Sequence, residues 1–552
     1  MSETDHTAVS DLIVKCLENE GVKYVFGIPG EENIWLIRSV ERSSTIRYVL
    51  VRHEQAASFM ADAYGRLTGK AGVCSATLGP GAINLLLGTV NAQTCSAPLV
   101  ALAAQVGKNR NFKESHQIVD LEGIFRPVTK WSNTITSTQA LPETIRKAFA
   151  LAQDGRPGAT FVAVPEDVEK TLLSELPIPL KISRPGRSMA ATSDLLKAAE
   201  LLNNAVRPIV LSGHGVARDH ASTALVALAE RANLPVAVTF HGKGTIPDRH
   251  PNAIGTVGFM RHDYENFPFD EADVILAVGY ELQEFDPVKI NPNGDKIIIH
   301  LHDFEQDTDK CYQPSLSLIG SVSDTLTALT PHLTMHTSRI GAGARRHREQ
   351  ELNTGADDDS FPLKPARIVA DIRKALGDED IVFADTGAAK MWVARLYPTQ
   401  VANTCIISNG LSTMAFALPG AMAAKLAFPN KRVLASMGDA AFLMNSQEIE
   451  TALRENIPLT VLIWLDDAYG LIKWKMEMEL KEHKQVDFMN PDFSAYARSF
   501  GAKGVHINTS GELLPALERA LSSDGVTVIT CPVDYSENIK LTDHLAALTS
   551  IA

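Results

Sequence analysis

The sequence of 552 residues has few cysteines, few aromatic residues and no long apolar run. Its six cysteines, at positions 16, 74, 95, 311, 405 and 531, are scattered without a C-x-x-C pair, which indicates small buried side chains in a reducing compartment. No apolar run approaches the roughly 18 residues that a membrane span needs. The polar, acidic start of the chain does not have the pattern of a signal peptide. We therefore expect a cytoplasmic protein that has no membrane partner.

The sequence also lacks a basic segment and any low-complexity run. Its formal net charge is −13, and no basic stripe with interleaved aromatic residues is present, so nucleic acid is not an expected partner. The composition, 45% hydrophobic and 21% charged, is typical of a globular protein with large cores. A chain of this length is expected to form three or four domains.

Apolar runs of strand length alternate with helical patterns along the chain, which predicts α/β domains built on doubly wound parallel sheets. The segment Pro177–Thr192, with three prolines and three basic residues, predicts a linker, and the polar stretch Arg345–Pro365 predicts a second separation. We therefore expect three domains, at residues 1–180, 193–335 and 360–552. The predicted strands are Lys23–Ile28, Tyr48–Arg52, Gly72–Ala76, Pro98–Ala103, Ala159–Val164, Pro208–Leu211, Pro235–Val238, Val274–Val278, Lys296–Leu301, Ile381–Ala384, Arg432–Met437 and Leu459–Leu465.

The segment from residue 432 to residue 470 has the pattern of a β-α-β unit. The strand Arg432–Met437 leads into a turn of small residues, Gly438–Ala441, and the helical spacing that follows covers Phe442–Arg454. Pro458 ends the helix, and Leu459–Leu465 is the second strand. Both strands of such a unit point the same way, so their carboxyl ends meet at one edge of the sheet.

An aspartate follows each of these two strands, Asp439 after the first and Asp466 after the second. The carboxyl edge of an open α/β sheet is where ligands bind. Two carboxylates brought together there repel each other unless a cation lies between them, and Mg²⁺ prefers such oxygen ligands together with phosphate oxygens. The backbone N–H groups of the turn would bind that phosphate, so the unit predicts a diphosphate bridged by a metal ion.

This unit resembles the signature of thiamine-diphosphate enzymes, in which G-D-x is followed at a similar interval by an Asn or Asp at a strand end. It is most similar to the catabolic, FAD-independent acetolactate synthases, which end the second strand with W-x-D-x-x-Y, here Trp464, Asp466 and Tyr469. Ala440 differs from the common third glycine, and Leu465 differs from the first Asn of the usual pair. The resemblance implies three domains: an N-terminal domain that binds the pyrimidine, a central domain, and a C-terminal domain that binds the diphosphate. The residues that it places at Mg²⁺ are Asp439, Asp466 and Ala468 through its carbonyl, and those that it places at the cofactor are Gly438, Asp439, Ala440, Ala441 and Tyr469.

Glu54 begins a helical pattern, Gln55–Leu67, directly after a predicted strand. A solvated carboxylate near a helix N-terminus is the ordinary interpretation of such a residue. The stretch from Arg52 to Gly72, RHEQAASFMADAYGRLTGKAG, nevertheless resembles the pyrimidine-side motif of the acetolactate synthase family. The family's glutamate hydrogen-bonds the aminopyrimidine ring and favours the tautomer that activates the thiazolium carbon. The resemblance therefore implies a catalytic, cofactor-binding Glu54 with a raised pKa.

Two other loops carry family resemblances. Thr386, Gly387 and Ala388 follow a predicted strand, and the resemblance places them at the cofactor. Relatives have a histidine in this loop that reaches the diphosphate. In this sequence Lys390 is the nearest candidate, and it either supplies charge or points to solvent.

The loop Ser408–Ala417 resembles the family's loop that holds the cofactor bent. The resemblance implies that Met414 separates the two rings of the cofactor and that the Ser412 carbonyl accepts a hydrogen bond from the aminopyrimidine. A single methionine is more often a core residue.

Two features of the N-terminal part concern the substrate. Gln117 matches a catalytic glutamine that relatives place near the thiazolium, and its alternative interpretation is a surface residue at a helix start. The stretch Phe26–Asn33, FGIPGEEN, resembles the family's FGIPG loop, but Glu31 and Glu32 replace the Ala-Lys that acetolactate synthases commonly have. The replacement reverses the charge near the expected entry of a 2-oxoacid carboxylate and argues against pyruvate.

The central part contains a glycine-rich turn, Gly213-His214-Gly215, after a predicted strand. Arg218 stands where a dinucleotide-binding turn needs its third glycine, so that fingerprint fails. Because Gly279–Pro287 resembles the FAD-free synthases, we expect no flavin.

The resemblance implies a carboligase that uses thiamine diphosphate and Mg²⁺, decarboxylates pyruvate and joins the product to a second 2-oxoacid to give 2-acetolactate. One alternative is a 2-oxoacid decarboxylase, or a carboligase with another donor or acceptor. The chain has no His-His pair, which decarboxylases of this superfamily commonly use. The other alternative is a catalytically silent paralogue that binds the cofactor. The family also implies a homodimer or homotetramer with active sites at the subunit interface.

Overall fold

The computed structural model describes residues 7–174, 177–183, 186–258, 263, 266–337 and 339–538. Both ends of the chain and two residues of the predicted linker, 184 and 185, lie outside these residues. The chain divides into two compact units. The first comprises residues 1–185, 418–429 and 445–457, and the second comprises residues 186–417, 430–444 and 458–552. The three predicted domain boundaries stay predictions.

The first unit contains a parallel sheet with six strands among the described residues, and a short antiparallel pair. Its strands are β1 (Thr7–Ala8), β2 (Tyr24–Gly27), β3 (Arg47–Leu50), β4 (Gly72–Ala76), β5 (Leu99–Gln105), β6 (Trp131–Thr134), β7 (Ala159–Pro165) and β8 (Leu172–Leu173). The sheet has the order β3-β2-β4-β5-β7-β6, and β1 pairs with β8. Strands β4, β5 and β7 are buried along their whole length, which is why their sequences are continuous apolar runs. The accompanying helices are α1 (Val9–Asn19), α2 (Ile34–Glu41), α3 (Glu54–Thr68), α4 (Pro80–Asn84), α5 (Leu86–Thr94), α6 (Leu121–Phe125), α7 (Leu141–Gln153) and α8 (Glu166–Glu169).

The second unit contains two parallel sheets, of which the central one follows the linker. Its strands are β9 (Pro208–Ser212), β10 (Val236–Val238), β11 (Ala253–Thr256), β12 (Val274–Val278), β13 (Ile297–His302) and β14 (Leu316–Ile319), in the order β11-β10-β9-β12-β13-β14. Val274 and Leu276 pack in one apolar cluster, whereas Ile275 and Ala277 pack in another. This alternation shows that both faces of the sheet are covered. The helices of this part are α9 (Thr192–Asn204), α10 (His214–Arg218), α11 (Ser222–Ala232), α12 (Phe267–Glu271), α13 (Val322–Leu329) and α14 (Ala342–Ala356).

The third sheet has the order β16-β15-β17-β18-β20-β19. Its strands are β15 (Ile381–Ala384), β16 (Cys405–Ile407), β17 (Val433–Gly438), β18 (Leu459–Leu465), β19 (Lys503–His506) and β20 (Val526–Pro532). The helices of this part of the chain are α15 (Pro365–Ala375), α16 (Ala388–Leu396), α17 (Ala417–Ala427), α18 (Asp439–Asn445), α19 (Glu448–Arg454), α20 (Gly470–Leu480), α21 (Phe493–Ser499) and α22 (Leu513–Leu521). Single-turn 3-10 helices lie at Glu31–Asn33, Arg126–Val128, Leu282–Glu284, Pro287–Lys289, Thr330–His332 and Ser510–Glu512.

These three sheets confirm the predicted fold class of doubly wound parallel-sheet α/β domains. Each of the predicted strands corresponds to an observed one, and Gly72–Ala76, Val274–Val278 and Leu459–Leu465 agree residue for residue. No helix in the described part of the chain is both long and apolar enough to cross a membrane.

Two local predictions are wrong. The predicted turn Gly438–Ala441 is absent, because β17 continues through Gly438 and α18 begins at Asp439. The single predicted helix Phe442–Arg454 is two helices, α18 and α19, which are separated at Ser446 and Gln447. The sequence does not indicate this break, because the helical spacing of apolar residues continues through Ser446 and Gln447.

The polar stretch Arg345–Pro365, which is predicted to separate two domains, contains most of helix α14. Arg348 of this helix is buried and forms an ion pair of 3.0 Å with the buried Asp248. The helix therefore packs through a charged residue, and its sequence has no apolar stripe to reveal it.

Candidate active site

The carboxyl edge of the third sheet has the geometry of a ligand site. Strands β15 and β17 are neighbours, with Ala384 paired to Ser436, and the next strand in sequence after β15, β16, lies on the other side of β15. The connections therefore diverge between β15 and β17, and such a switch point forms the crevice in which open α/β sheets bind ligands.

Two glycines keep this crevice open. No heavy atom lies within 4 Å of the position that a Cβ would occupy on Gly387 or on Gly438. Gly387 also has a φ of +142°, which favours glycine. These residues follow or end the two strands of the switch point, so a phosphate group can approach the backbone there.

Asp439 lies at the end of β17 and is 1% exposed. Its Oδ1 accepts a hydrogen bond from the backbone N–H of Ala440 at 2.7 Å. Its Oδ2 accepts from the backbone N–H of Asp467 at 2.8 Å and from that of Asp466 at 3.3 Å. Burial raises the pKa of Asp439, whereas these N–H donors favour its charged form.

The acid pair predicted from the sequence is present. Burial, and then the charge of Asp439, raise the pKa of Asp466 to about 8. A Cβ on Gly470 would lie 2.4 Å from Asp466 Oδ2, so only a glycine leaves room for this carboxyl group. The charge of Asp439 thus disfavours a second negative charge on Asp466, which is the electrostatic condition that a cation relieves.

Asn490 completes the oxygen cluster, and the sequence analysis missed it. Its Nδ2 donates to Asp439 Oδ2 at 2.8 Å and to Asp467 Oδ1 at 2.7 Å. Its Oδ1 is buried and has no hydrogen-bond partner. An acceptor oxygen with no donor beside two carboxylates fits a hard divalent cation such as Mg²⁺. Asn490 lies beyond α20, and no sequence spacing connects it with Asp439.

The cation would need ligands from outside the protein. Among the described residues, no group of three or more His, Cys, Asp or Glu side chains is arranged to hold a metal ion. Mg²⁺ usually keeps waters and is bound by one or two carboxylates plus phosphate oxygens, which is consistent with this smaller set.

Ala468 and Tyr469 follow the acid pair in a segment that is tied to residues 486–488. Ala468 is buried and forms a bridge with Asp487, and the backbone N–H of Tyr469 donates to the Val486 carbonyl at 2.9 Å. The Tyr469 ring is 41% exposed and packs edge-on against Phe488. Tyr469 therefore presents a partly free ring at this edge.

The loop Ser408–Ala417 is attached to the end of β15 by Asp385. This buried carboxyl group accepts backbone N–H bonds from Thr386 at 2.8 Å, Ala415 at 3.0 Å and Ala417 at 2.7 Å. Burial raises its pKa to about 7. Ser412 and Ala415 have positive φ values of 55° and 70°, and Met414 is half-buried between them. Asp385 thus anchors the C-terminal end of the loop, where Ala415 has a left-handed backbone conformation.

Lys390 is buried rather than solvent-exposed, so that sequence-based interpretation is wrong. Its Nζ donates to the Ser408 carbonyl at 3.1 Å and lies 3.4 Å from Ser412 Oγ. Burial lowers the pKa of Lys390 to about 8. Lys390 therefore anchors the same loop as Asp385, and Thr386 adds a hydrogen bond from its hydroxyl to the Ser408 carbonyl at 3.2 Å.

The first sheet has its switch point between β2 and β4, and Glu54 lies at the same edge, after β3. Glu54 is 8% exposed, and its Oε2 accepts a hydrogen bond from Asn84 Nδ2 at 3.0 Å. A Cβ on Gly81 would lie 3.2 Å from Glu54 Oε1, so this glycine keeps the second oxygen accessible. His53 caps α3 by accepting the backbone N–H of Gln55 on its Nδ1.

Glu32 and Gln117 lie in loops at this edge. The Thr77 hydroxyl, just after β4, donates to Glu32 Oε2 at 2.9 Å. Gln117 is exposed in a turn with a φ of 59°, four residues before α6, so the helix-start interpretation is wrong. Its carbonyl lies 2.8 Å from the position of a Cβ on Gly79, which places Gln117 beside the loop that carries Gly81.

The glycine turn of the central sheet is filled by the protein itself. Glu284 is buried, and its Oε1 accepts backbone N–H bonds from His214 at 3.2 Å and Glu281 at 3.0 Å, while the Thr239 hydroxyl donates to its Oε2. A Cβ on Gly213 would lie 2.5 Å from the Gly279 carbonyl. Burial, and then the charge of Glu281, raise the pKa of Glu284 to about 8. A carboxyl group of the chain thus takes the His214 N–H, while the Gly213 and Gly215 N–H groups donate to the backbone carbonyls of Val278 and Gly279.

An open parallel-sheet edge with paired acids is typical of enzymes that bind a phosphorylated cofactor. The family models for the thiamine pyrophosphate enzymes match the chain in all three of their parts: the N-terminal TPP binding domain at residues 7–124, the central domain at 195–329 and the C-terminal TPP binding domain at 385–531. The chain therefore belongs to the thiamine pyrophosphate enzyme family and is a thiamine-diphosphate-dependent enzyme.

Several curated proteins are similar to the chain over nearly its full length. An acetolactate synthase of Bacillus subtilis (strain 168) is 34% identical over 538 residues, which cover 96% of this chain and 94% of that protein. A catabolic acetolactate synthase of Raoultella terrigena is 34% identical over 543 residues, 97% of each chain. A probable acetolactate synthase large subunit of Methanocaldococcus jannaschii is 32% identical over 559 residues, 98% of this chain and 94% of that protein.

Proposed function

We propose that the protein is a Mg²⁺-dependent carboligase that decarboxylates a 2-oxoacid, pyruvate, and joins the product to a second molecule to give 2-acetolactate. The observation that carries the proposal is the paired Asp439 and Asp466 with the unpartnered Asn490 oxygen, at an edge kept open by Gly387 and Gly438. The relatives named acetolactate synthase supply the reaction.

In this proposal the third sheet binds the phosphate end of the cofactor. Asp439, Asp466 and the Asn490 Oδ1 hold Mg²⁺, with the Ala468 carbonyl as a further oxygen ligand. The backbone at Gly387, Ala388, Ala440 and Ala441 contacts the diphosphate. Lys390 and Asp385 fix the Ser408–Ala417 loop, so that the Ser412 carbonyl and the Met414 side chain are preorganised for the cofactor rings.

Thiamine diphosphate, when bound, supplies a nucleophilic carbon and an electron sink for the loss of carbon dioxide. Glu54 is the residue that holds a proton for this chemistry. Asn84 occupies its Oε2, so the Oε1 beside Gly81 is the atom available for a ring nitrogen. In this proposal Gln117 and the loop at Gly79 orient the acceptor and keep water from it, which favours carbon–carbon bond formation over protonation.

The test is incubation of the purified protein with pyruvate, Mg²⁺ and thiamine diphosphate, in which carbon dioxide and the organic product are followed together. Acetolactate supports the proposal. Free acetaldehyde would show a decarboxylase, and bound cofactor with neither product would show a catalytically silent paralogue. The Glu54→Gln variant serves as the control for background decarboxylation.

A second candidate is carboligation with a neutral acceptor, because the Thr77 hydroxyl holds Glu32 at the same sheet edge as Glu54. A carboxylate there repels a second 2-oxoacid. In competition between pyruvate and a neutral aldehyde as acceptors, this candidate predicts preference for the aldehyde. It also predicts that Glu32→Gln, which keeps an acceptor for Thr77, shifts the preference toward pyruvate. An unchanged product ratio would reject it.

We also propose that the enzyme uses no flavin, because Glu284 accepts the backbone N–H of His214 in the central turn. An absorbance spectrum of the purified protein tests this, and a flavin released on denaturation would refute it. As the family resemblance implies, we propose a cytoplasmic homodimer or homotetramer, and sedimentation of the purified protein measures this state.

A further inference from the structure

Glu448 is a buried acid that the proposed chemistry does not use. It begins α19 in the first unit, and its side chain is 0% exposed. The backbone N–H of Arg52 donates to both carboxyl oxygens, at 3.1 and 3.2 Å, and the backbone N–H of His53 also bonds this group. The Thr451 hydroxyl donates to Oε2 at 2.6 Å.

The segment that Glu448 holds is the one that leads into Glu54. Strand β3 ends at Leu50 and α3 begins at Glu54, so Arg52 and His53 belong to neither element. Their backbone N–H groups have no ladder or helical partner of their own, and a buried N–H without an acceptor is costly. The carboxyl group of Glu448 supplies that acceptor.

The rest of α19 is fixed against the same strand. The Arg454 guanidinium donates to the Leu50 carbonyl, and Arg47 donates to the Glu455 carbonyl at 3.0 Å. Contacts at residues 47, 50 and 52 thus register α19 along the end of β3. This register places Glu448, rather than any other residue of α19, beneath the turn before Glu54.

A carboxyl group at this buried position has a large desolvation cost. Burial raises the pKa of Glu448 to about 7. A glutamine has the same shape and would accept one hydrogen bond at a lower desolvation cost. Only a carboxyl group accepts with both oxygens, and hydrogen bonds to a charged acceptor are shorter and stronger than those to an amide.

We propose that Glu448 is a positioning residue, whose two carboxyl oxygens fix the Arg52–His53 backbone and thereby the direction in which Glu54 presents its carboxyl group. The inference rests on the proposed role of Glu54. Because Glu448 is not among the residues proposed to hold Mg²⁺ or the diphosphate, its loss affects proton movement at the cofactor and leaves cofactor binding intact.

The test is the rate of hydrogen–deuterium exchange at the thiazolium C2 of bound thiamine diphosphate, measured by NMR after acid quench in the holoenzyme without substrate. We expect Glu448→Gln to slow exchange and kcat on the order of 10- to 100-fold, the loss typical of a misplaced catalytic group. The Kd of the cofactor should change less than about twofold. The matched control is Glu450→Gln on the same helix, since Glu450 pairs with Arg454 and does not contact Arg52.

Exchange at the wild-type rate in a folded Glu448→Gln variant would overturn the inference. If that variant does not fold, Thr451→Val decides, because it removes the donor to Glu448 Oε2 without leaving the Arg52 N–H unpaired. Slower exchange in Thr451→Val supports positioning, and an unchanged rate rejects it. Glu54→Gln separates the two proposals: if it does not slow exchange, the proposed role of Glu54 fails, whatever Glu448 does.

Discussion

The first and third sheets share one topology but have different edges. When the six strands of each sheet are numbered in chain order, their spatial order is 2-1-3-4-6-5 in both sheets. The switch point of each sheet lies between strands 1 and 3. One edge carries the single buried carboxyl group of Glu54, partnered by the amide of Asn84. The other carries the acid pair Asp439 and Asp466 with the amide of Asn490. Topology thus sets where a ligand binds, and in our proposal a few side chains at the strand ends decide which end of the cofactor each sheet binds.

The central sheet extends the comparison because its strand order is different. Its first strand, β9, lies in the middle, with later strands added outward on both sides, as in dinucleotide-binding folds. Its turn is filled by Glu284 instead of a ligand. A topology suited to a nucleotide can therefore have a carboxyl group of the chain itself at its first turn.

The largest expected effect is on the edge of the first sheet, which carries Glu54. Glu54→Gln should reduce kcat by on the order of 10³-fold, as expected for loss of a general acid–base group. Cofactor affinity, measured by fluorescence titration, should stay close to that of the wild type, because the metal edge is untouched. Activity within tenfold of the wild type would show that the two edges do not divide the chemistry as proposed.

Asp439→Ala, at the edge of the third sheet, should abolish cofactor binding rather than the chemical step. Mg²⁺ and the diphosphate should be lost together, so that the thermal stabilisation by Mg²⁺ plus thiamine diphosphate disappears in differential scanning fluorimetry. Asp357→Asn, at an exposed position, is the control and should keep the full shift. If Asp439→Ala retains metal-dependent cofactor binding, the acid pair is not the metal site.

Gly438→Ala tests the open space at the third sheet. Its methyl group meets no protein atom within 4 Å, so the apo protein should unfold at nearly the wild-type temperature. The methyl enters the space assigned to the diphosphate, and the Kd of the cofactor should rise about 10- to 100-fold, or about 1.4 to 2.8 kcal/mol.

Gly81→Ala, in helix α4 at the edge of the first sheet, is the variant to compare with Gly438→Ala. Its methyl would lie 2.9 Å from Thr77 Cγ2 and 3.2 Å from Glu54 Oε1. It should lower kcat more than it lowers cofactor affinity, the reverse of Gly438→Ala. Equal effects of the two variants would contradict the division between the edges.

The last expected effect concerns the stability of the central sheet and depends on pH. The folded-state pKa of Glu284, about 8, is above its ordinary value of 4.5, so the folded protein binds this proton more tightly than the unfolded chain does. The contribution of Glu284 to stability is therefore present at low pH and declines as the pH rises from about 4.5 to 8, with a limiting slope of about 1.4 kcal/mol per pH unit.

Glu284→Gln removes this titration. The difference in urea midpoint between the variant and the wild type should shift in favour of the variant as the pH is raised from 5 to 8. The exposed Glu305→Gln is the control and should show no such trend. A difference that does not vary with pH would mean that Glu284 does not carry the proton.

Most interior strands were predictable because they are buried on both faces. The interior strand β20 is equally buried and was not predicted. Val274–Val278 and Leu459–Leu465 are continuous apolar runs that only a doubly covered parallel sheet accommodates. The strands β6 and β19, at the edges of their sheets, were not predicted, since they are short and only partly buried. The acids at strand ends were predictable because a parallel sheet brings the carboxyl ends of all its strands to one edge.

The sequence by itself determined the three sheets, the family and the acids Glu54, Asp439 and Asp466, because these depend on local patterns and on the direction of parallel strands. The tertiary structure alone decided which polar groups join them. Asn490 meets Asp439 across 51 positions, and Glu448 meets Arg52 across 396. Hydrogen bonds between residues so far apart leave no periodicity in the chain, and burial makes them necessary only once the fold has brought the groups together.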